Sequence, residues 1–596
     1  MTKETVTLTI NGQEITVSKG TTILAAARSL NIEIPTLCHL NMVGLGIVNN
    51  EGCCRVCVVE EVGWDKMLPA CTTKCKEGME IRTDSFKAIN ARRLMVELLI
   101  SNHPSDCLIC SKSGHCDLQD LAHDLGVRNI QYPGERLELN VDESSYSIRR
   151  DMNKCILCKR CENVCKEVQT VDTLTAIGRG FPTVMGTSFD APIHNTNCTF
   201  CGQCLAVCPT GALTEISQVN QVYQALNSDK TVIVQTAPAV RVALGELFDM
   251  APGENVTGQM VTALRKLGFS KVFDTNFAAD VTIMEEASEF ARRLSDPGAP
   301  MPMLTSCCPA WIKFFEHNYN DLLDIPSSCK SPHEMFGSLS KSYLAEKMNI
   351  DPKDMVVVSV MPCVAKKWES ARPELSSTAG VTDVDYVITT KELGEMIKFV
   401  GIDFANLEEG QFDSLMGESS GAGDIFGVTG GVLEAALRTA NYLLTGEDLT
   451  EDQIVFKELR GLHRIKEAEV EIAGKKLKVA SASGLGNARI LLDRIRNGEN
   501  EYQLIEIMAC PGGCIDGAGQ PAHNGDMNKI MKRMQAIYKL DETNAVRYSH
   551  RNPMVQKLYE EYLGEPLGER SEQLLHTAYK LRPKYEVPNN GEKVQK

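Results

Sequence analysis

The first residues alternate. In "VTLTINGQEITV" apolar and polar positions change places at every step on both sides of Asn11-Gly12, the period-two pattern of two strands joined by a tight turn. "TTILAAARSLN" then takes on helical spacing, and a second helical stretch, "SFKAINARRLMVELLI", begins at Ser85. After residue 220 the pattern changes character. "KTVIVQTAPAV" is a β-branched run ending in a turn, and "DMVVVSVMPC" and "DVDYVITT" are further apolar runs, with helical stretches between them. Buried strands alternating with helices predict an α/β body.

At 596 residues the chain is too long for one core, and roughly 150 residues per domain suggests about four domains. No stretch reaches the roughly 18 apolar residues that cross a bilayer. The N-terminal residues are polar and carry no apolar signal core, and Arg149-Arg150 lies too far inside to be an export signal, so the expected location is the cytoplasm. The formal net charge of −16 argues against nucleic acid as a partner. Thiols stay reduced in the cytoplasm, so the 23 cysteines are expected to be metal ligands where they cluster.

Most of them fall in the first 210 residues, in sets that differ in spacing. Cys38, Cys54 and Cys57 in "CCRVC", and Cys71 can enclose a [2Fe–2S] cluster, with zinc as the competing occupant and Cys53 and Cys75 as bystanders. "HPSDCLICSKSGHC" offers His103, Cys107, Cys110 and Cys116, one imidazole and three thiolates, for a [4Fe–4S] cluster or zinc. His115 is the alternative nitrogen ligand; it sits directly beside Cys116, which favours His103. The most specific signal is a repeated C-x2-C-x2-C-x3-C, in Cys155, Cys158, Cys161, Cys165 and again in Cys198, Cys201, Cys204, Cys208, the second followed by Pro209. It is the bacterial ferredoxin pattern, in which each fourth cysteine ligates the other cubane. One cubane then takes Cys155, Cys158, Cys161 and Cys208, and the other Cys198, Cys201, Cys204 and Cys165.

The C-terminal half holds the remaining cysteines, Cys307, Cys308, Cys329, Cys363, Cys510 and Cys514. Neighbouring side chains point in different directions and a disulfide between them is strained, so Cys307 and Cys308 are not expected to share one metal. Taking one of the pair leaves enough thiols for a further [4Fe–4S] cluster. "GAGQPA" at 517–522 fits a dinucleotide fingerprint by letters, but it follows a cysteine motif and not a strand.

The runs "TSCCPAW", "MPCVAKKWE" and "EIMACPGGCIDGAGQP" resemble, in order, the three signature motifs of [FeFe]-hydrogenases, and the iron–sulfur modules ahead of them are similar to those of the family's large, multi-cluster members. The resemblance covers nearly the whole chain. It implies an H-cluster: a cubane joined through one cysteine sulfur to a diiron site bearing CO, cyanide and a dithiolate amine. Carried over residue by residue, Cys308, Cys363, Cys510 and Cys514 hold the cubane, and Cys514 bridges to the diiron unit. Lys366 stands where the family hydrogen-bonds a cyanide. Pro238, Ala239, Met361, Met508, Phe426 and Gly427 match residues lining the pocket. Cys307 becomes the proton donor and acceptor, and Glu286, Glu289, Arg293 and Ser327 match the route behind it. By spacing alone, Glu286, Glu289 and Arg293 form one helix stripe, which read by itself is an ordinary salt-bridged surface. His333 is a departure, since Gln is expected there.

The fold class expected is multidomain, α+β and α/β. A β-grasp [2Fe–2S] ferredoxin-like domain spans 1–82, a [4Fe–4S] module with one histidine and three cysteine ligands 83–142, and a two-cubane ferredoxin-like module 143–220. A two-lobed α/β H-cluster domain follows at 221–545, then a fused segment at 546–596 resembling the small subunit of two-chain relatives, with a mobile tail from residue 582. The function implied is reversible H2 oxidation, with electrons relayed to flavin- and NAD(P)-binding partner subunits and a ferredoxin in an electron-bifurcating complex. The rivals are a pure electron-transfer subunit of an NADH dehydrogenase-like complex, since residues 1–215 also resemble that protein's iron–sulfur subunit, and a hydrogenase-derived sensor or assembly protein. The three C-terminal motifs weigh against the first rival; the free thiol Cys307 and the glutamate stripe weigh against the second.

Overall fold

The computed structural model describes residues 4–42, 46–49, 51–377 and 380–585. The strands Thr5–Ile10 and Gln13–Ser18 pair antiparallel around a turn in which Asn11 and Gly12 both take positive φ, as the alternation predicts. Thr5–Ile10 also pairs parallel with Glu80–Arg82, which continues into Val58–Glu61 and Leu68–Pro69 to complete a five-stranded sheet. The helix Ile23–Ser29, N-capped by the Thr22 hydroxyl, lays Ile23, Leu24, Ala26 and Ala27 against Leu8, Ile10 and Ile81 of that sheet.

The second helical stretch is the helix Phe86–Ser101, capped by Ser85. It leads into the short turn Cys107–Ile109 and the helix Asp117–Asp124. In the next module, Ile148–Arg150 and Leu213–Glu215 form one antiparallel pair, and the short helices Arg160–Asn163 and Gln203–Ala206 carry the third cysteine of each motif.

The remainder is two-lobed. One lobe is a wholly parallel sheet in the order Lys271–Asp274, Thr231–Thr236, Met355–Met361, Tyr386–Thr389. Its central strand Met355–Met361 is buried at every position, which is why its sequence is a continuous apolar run and not an alternating one. The other lobe orders Met303–Leu304, Leu504–Met508, Lys475–Ser483 and Ile465–Ile472, parallel except for the last hairpin. Between them the helix Thr275–Ser295 packs against the helices Gly431–Thr445 and Pro332–Leu339. Helix Pro309–Asn318 buries Trp311, Phe314 and Phe315 completely, each contributing on the order of 2–3 kcal/mol.

The C-terminal segment is part of this core. Val555, Leu558, Leu563, Leu574 and Leu575 join the apolar cluster of the first lobe. The expected tail begins anchored: Arg582 pairs with Glu316 at 2.5 Å and with Glu374, because the buried Glu316 and the half-buried Glu374 carboxylates face it. Residues 586–596 of that tail lie outside the described residues.

Candidate metal and active centre

The site lies where parallel strands end. Cys307 and Cys308 follow Met303–Leu304, Cys363 follows Met355–Met361, Cys510 follows Leu504–Met508, and Pro238 and Ala239 follow Thr231–Thr236. Loops beyond the carboxyl ends of parallel strands are where α/β folds hold ligands, since the strands fix the loops' roots and leave their tips free to converge.

Cys308 is the N-cap of helix Pro309–Asn318, with Pro309 preset for the first turn. The Ala509 N–H donates to its Sγ at 3.4 Å. Cys363, Cys510 and Cys514 lie close to Cys308: burial raises each of them most, Cys308 adds to all three, and Cys363 and Cys514 are pushed up to about 12. Cys308, Cys363 and Cys514 are enclosed by protein yet keep part of their surface open, as groups facing an internal cavity do. Four converging buried thiols ionise together only around cationic metal, so the donor set fits an iron–sulfur cubane.

The loop that carries Cys510 and Cys514 is shaped by glycine. Gly513 has φ +86°, and a Cβ there would lie 2.6 Å from the Thr429 nitrogen; a Cβ on Gly517 would lie 2.2 Å from the Pro362 carbonyl oxygen. The glycines of "GAGQPA" therefore let this backbone lie on the Cys363 loop, which accounts for the dinucleotide-like letters by packing.

Cys307 keeps its thiol protonated: burial raises it most, and the neighbouring Glu286 adds to the effect. Glu286 is itself pushed up to about 8 by burial and then by Glu289, and among the described residues neither of its carboxyl oxygens has a hydrogen-bond partner. The Ser327 hydroxyl donates to Glu289 Oε2 at 2.8 Å, and Arg293 Nη2 donates to Glu289 Oε1 at 2.6 Å. The stripe on helix Thr275–Ser295 is thus an interior one: Glu286 is 1% and Glu289 2% exposed, and the side chain of Arg293, 10% exposed, closes its outer end.

Lys366 donates to Glu369 Oε2 at 2.7 Å, Ser331 Oγ at 2.9 Å and the Cys307 carbonyl at 3.1 Å. Burial opposes its charge, but Glu369 outweighs burial and raises its pKa. Burial likewise opposes a charged Glu369, yet Lys366 and His333 hold it down to about 2. His333 lies between Glu369 at 2.9 Å and Glu334 at 3.0 Å; burial disfavours its charge, and the two carboxylates still raise its pKa. Glu369 and Ser331 escape motif reading, though Glu369 stands i+3 from Lys366 on a helical turn, a spacing that marks such pairs. Ala239 and Gly427 come together, and Gln520 Nε2 donates to the Ala239 carbonyl at 2.7 Å. Met361, Met508 and Phe426 are 2%, 3% and 6% exposed and belong to the surrounding core.

Two cavities divide the eight cysteines of the ferredoxin-like module between them. One cavity is lined by Cys155, Cys158, Cys161 and Cys208, and another by Cys165, Cys198, Cys201 and Cys204. Gln203, beside Cys204, reaches Cys510 Sγ and the Asp516 carbonyl oxygen, both at 3.4 Å, so this module touches the catalytic thiols directly. Spacing gives no hint of that contact.

On the other side, Lys154 faces His103, Asp106 and Cys110 and stands next to Cys155. Cys110 N–H closes a turn on the Cys107 carbonyl at 3.3 Å, and Cys116 lies near Cys110. His103 Nδ1 bonds the Pro104 carbonyl at 2.9 Å and its Nε2 is buried without a partner among the described residues, the state of a histidine ready to ligate through Nε2. His115 is exposed. In the first domain, Cys57 and Cys71 sulfurs are 3.4 Å apart and the Cys38 N–H donates to Cys54 Sγ at 3.4 Å. Cys53, read as a bystander, is within hydrogen-bonding reach of Cys38 and lies 3.5 Å from the Leu157 carbonyl oxygen; Cys75 is a buried thiol raised by desolvation.

Comparison with protein families adds the following. Residues 230–518 match the C-terminal domain of the iron-only hydrogenase large subunit, and 527–582 the iron hydrogenase small subunit. Residues 3–85 match a 2Fe-2S iron–sulfur cluster binding domain, 92–131 the NADH-ubiquinone oxidoreductase-G iron–sulfur binding region, and 145–214 the ferredoxin-like domain of NADH-quinone oxidoreductase subunit 3. The chain is 52% identical to the NADP-reducing hydrogenase subunit HndD of Solidesulfovibrio fructosivorans over 96% of its own length and 98% of that protein. It is 42% identical to iron hydrogenase 1 of Clostridium pasteurianum, over 96% of this chain and 100% of that one. Among solved structures, apo [FeFe]-hydrogenase HydA1 of Chlamydomonas reinhardtii, in a cysteine-to-histidine variant, superposes with a TM-score of 0.56 at 44% identity, covering 62% of this chain and 100% of that one. The strand-end thiols, the iron–sulfur modules in sequence and these relatives together lead to one assignment: the chain belongs to the [FeFe]-hydrogenase family, as a catalytic subunit.

Proposed function

We propose that the chain interconverts H2 with two protons and two electrons, and that Cys308, Cys363, Cys510 and Cys514 would hold the H-cluster that supplies the redox chemistry. Cys38, Cys54, Cys57 and Cys71 would hold a [2Fe–2S] cluster, His103, Cys107, Cys110 and Cys116 a [4Fe–4S] cluster, and the two ferredoxin-like motifs two cubanes, which would supply a path for the electrons to flavin- and NAD(P)-binding partner subunits. A ferredoxin shares them in an electron-bifurcating complex of the cytoplasm. The observation that carries this function is the convergence of four buried thiols beside a fifth, Cys307, that faces a carboxyl group instead of joining them.

When bound, the H-cluster supplies a redox-active metal centre for making and splitting H2. The chain's own part is positional and protonic. Cys307 Sγ holds a proton because burial and Glu286 keep it a thiol, and Glu286, raised to about 8, exchanges protons near neutral pH. Ser327 lies near Glu286 and donates to Glu289, which Arg293 holds in place. Lys366 supplies an ammonium beside Cys307 for a cyanide, and Gln203 links the cubane thiol Cys510 to the relay. The name of the HndD relative, an NADP-reducing hydrogenase subunit, and the two NADH dehydrogenase-type modules support the nicotinamide link.

The test is nicotinamide absorbance under H2. The matured, isolated chain reduces an artificial one-electron dye and leaves NAD+ and NADP+ untouched; adding a flavin-containing partner restores nicotinamide reduction. Appreciable reduction by the chain alone contradicts the assignment of the nicotinamide site to a partner.

A further inference from the structure

The route behind Cys307 ends at a residue that cannot release a proton. Of the groups bonded to Glu289, Arg293 stays charged in any folded protein, and Ser327 leads back towards Glu286. The remaining partner is Ser328, whose N–H donates to Glu289 Oε2 at 3.1 Å and whose Oγ lies 3.4 Å from the same oxygen. Ser328 Oγ is also 2.8 Å from His576 Nδ1, and His576 Nε2 is 3.1 Å from Glu285 Oε2. Glu285 in turn accepts from Tyr559, Ser571 and the Leu567 N–H. A continuous chain of hydrogen bonds therefore leaves Glu289 and ends in groups supplied by the C-terminal segment, nearly 300 residues away in sequence. Its register is set by the bridge between Cys329 and His576 and by the Thr577 N–H donating to the Ser328 carbonyl at 2.8 Å.

We propose that His576, with Glu285 as its counter-charge, is a proton store on a side branch of the H2-linked proton route, loaded from Glu289 through Ser328. Each H2 oxidised sends two protons down one lane, and a store beside the lane holds one while the other passes. Glu285 accepts from Nε2–H, which leaves Nδ1 of the neutral ring as the acceptor for the Ser328 hydroxyl. In loading, the Glu289 carboxyl gives its proton to Ser328 Oγ while the Ser328 hydroxyl proton passes to His576 Nδ1. Glu289 becomes a carboxylate and His576 an imidazolium paired with the Glu285 carboxylate. Unloading is the reverse, and no other reactant is consumed. The titratable groups around the imidazole are Glu285, with Tyr559 behind it, and Glu289 and Cys329, whose ligating atoms lie within 4.8 Å of one another and of the ring nitrogen. Burial and the three glutamates keep Cys329 a thiol, so it adds no charge.

The proposal rests on the hydrogenase proton route above, and the experiment separates the two. The matured full chain is compared with His576→Gln, which keeps the ring's volume and its bond to Glu285 but takes up no proton, and with Ser328→Ala, which cuts the link and leaves His576 in place. The readouts are the pH profile of dye-linked H2 oxidation and the H2-induced infrared difference bands of protonated carboxyl groups. Expected are losses of about five- to tenfold on the alkaline side of the profile, where the ring is neutral and can take a proton, fading towards acid pH where the store is already loaded, equal in the two variants and no larger in the double variant. The Glu289 carboxyl band should also persist under H2 instead of discharging. A parental profile in Ser328→Ala, or losses that multiply in the double variant, overturns the store. Should His576→Gln fail to take up iron, Ser328→Ala decides alone by the same readouts. Glu289→Gln tests the parent route: full activity there overturns that route, whereas its loss beside parental branch variants overturns the branch only.

Discussion

Glu286 gives two effects of opposite sign from one substitution. Its carboxyl group is raised from 4.5 to about 8, chiefly because burial disfavours the carboxylate and secondarily because Glu289 is near. A carboxyl group whose folded pKa lies above its unfolded value leaves stability intact below about 4.5 and removes it as pH rises through about 8. The full difference amounts to about 5 kcal/mol. Glu286→Gln keeps the shape and abolishes the titration. The variant should match the parent in denaturant unfolding of the catalytic domain near pH 5 and exceed it by several kcal/mol near pH 9. Activity moves the other way, because an amide relays no proton: H2 evolution from a reduced dye should fall by about 100- to 10,000-fold. In the parent, the protonated fraction drops from about nine-tenths at pH 7 to about one-tenth at pH 9, so the proton-reduction rate at fixed driving potential should fall about ninefold over that span. Parallel stability curves for parent and variant would refute the raised pKa, and surviving activity would refute the relay.

Three further outcomes follow from the same geometry. Cys307→Ser should abolish most H2 turnover while iron content and cluster spectra stay close to the parent, since a hydroxyl is too weak an acid to relay protons near neutral pH; failure of the H-cluster to assemble would exchange the roles of Cys307 and Cys308. His103→Cys should keep a cubane and lower its potential in redox-titrated electron paramagnetic resonance, because a thiolate adds negative charge, and an unchanged spectrum would point to His115 or to zinc. Arg438, fully buried, joins Glu434 at 2.6 Å and Asp541 at 2.8 Å, while Arg460 also holds Glu434 at 2.7 Å and Arg547 holds Asp541 at 2.8 Å, so Arg438→Met removes one cation from a buried network and should cost about 1–3 kcal/mol in denaturant unfolding; a loss below about 0.5 kcal/mol would show that the other two arginines satisfy both carboxylates.

Local chemistry was the legible part. Asn11-Gly12 dictates its turn through backbone sterics, and the ferredoxin-like cysteines sit on short loops whose spacing already says which sulfurs can meet. The apolar runs before Thr236, Met361 and Thr389 named the strands of the first lobe, because strands buried on both faces have no polar positions. The stripe Glu286–Glu289–Arg293 shows where letters mislead: the helical spacing was correct, but nothing in it distinguishes an outer face from an inner one, and the packing of helix Thr275–Ser295 between both lobes made it interior. What stayed hidden are contacts between distant segments. Gln203 on Cys510, Arg582 on Glu316, and His576 and Tyr559 on Glu285 join residues far apart in the chain, and no periodicity marks such pairs before the chain has folded. Cys53 stayed hidden for another reason: the doubled cysteine shows that one thiol is spare, but its closeness to Cys38 depends on how the first domain folds and its contact with Leu157 on how that domain meets the ferredoxin-like module.

The central claim is that Cys308, Cys363, Cys510 and Cys514 carry the H-cluster, and infrared spectroscopy of the matured chain addresses it most directly. Carbonyl and cyanide stretching bands that shift under H2 should appear in the parent and in Cys329→Ser, which alters a buried thiol of the catalytic domain outside both the four ligands and Cys307. They should vanish in Cys363→Ser and Cys514→Ser. Bands that survive in Cys514→Ser, or disappear in Cys329→Ser alone, would place the cluster elsewhere and contradict the account.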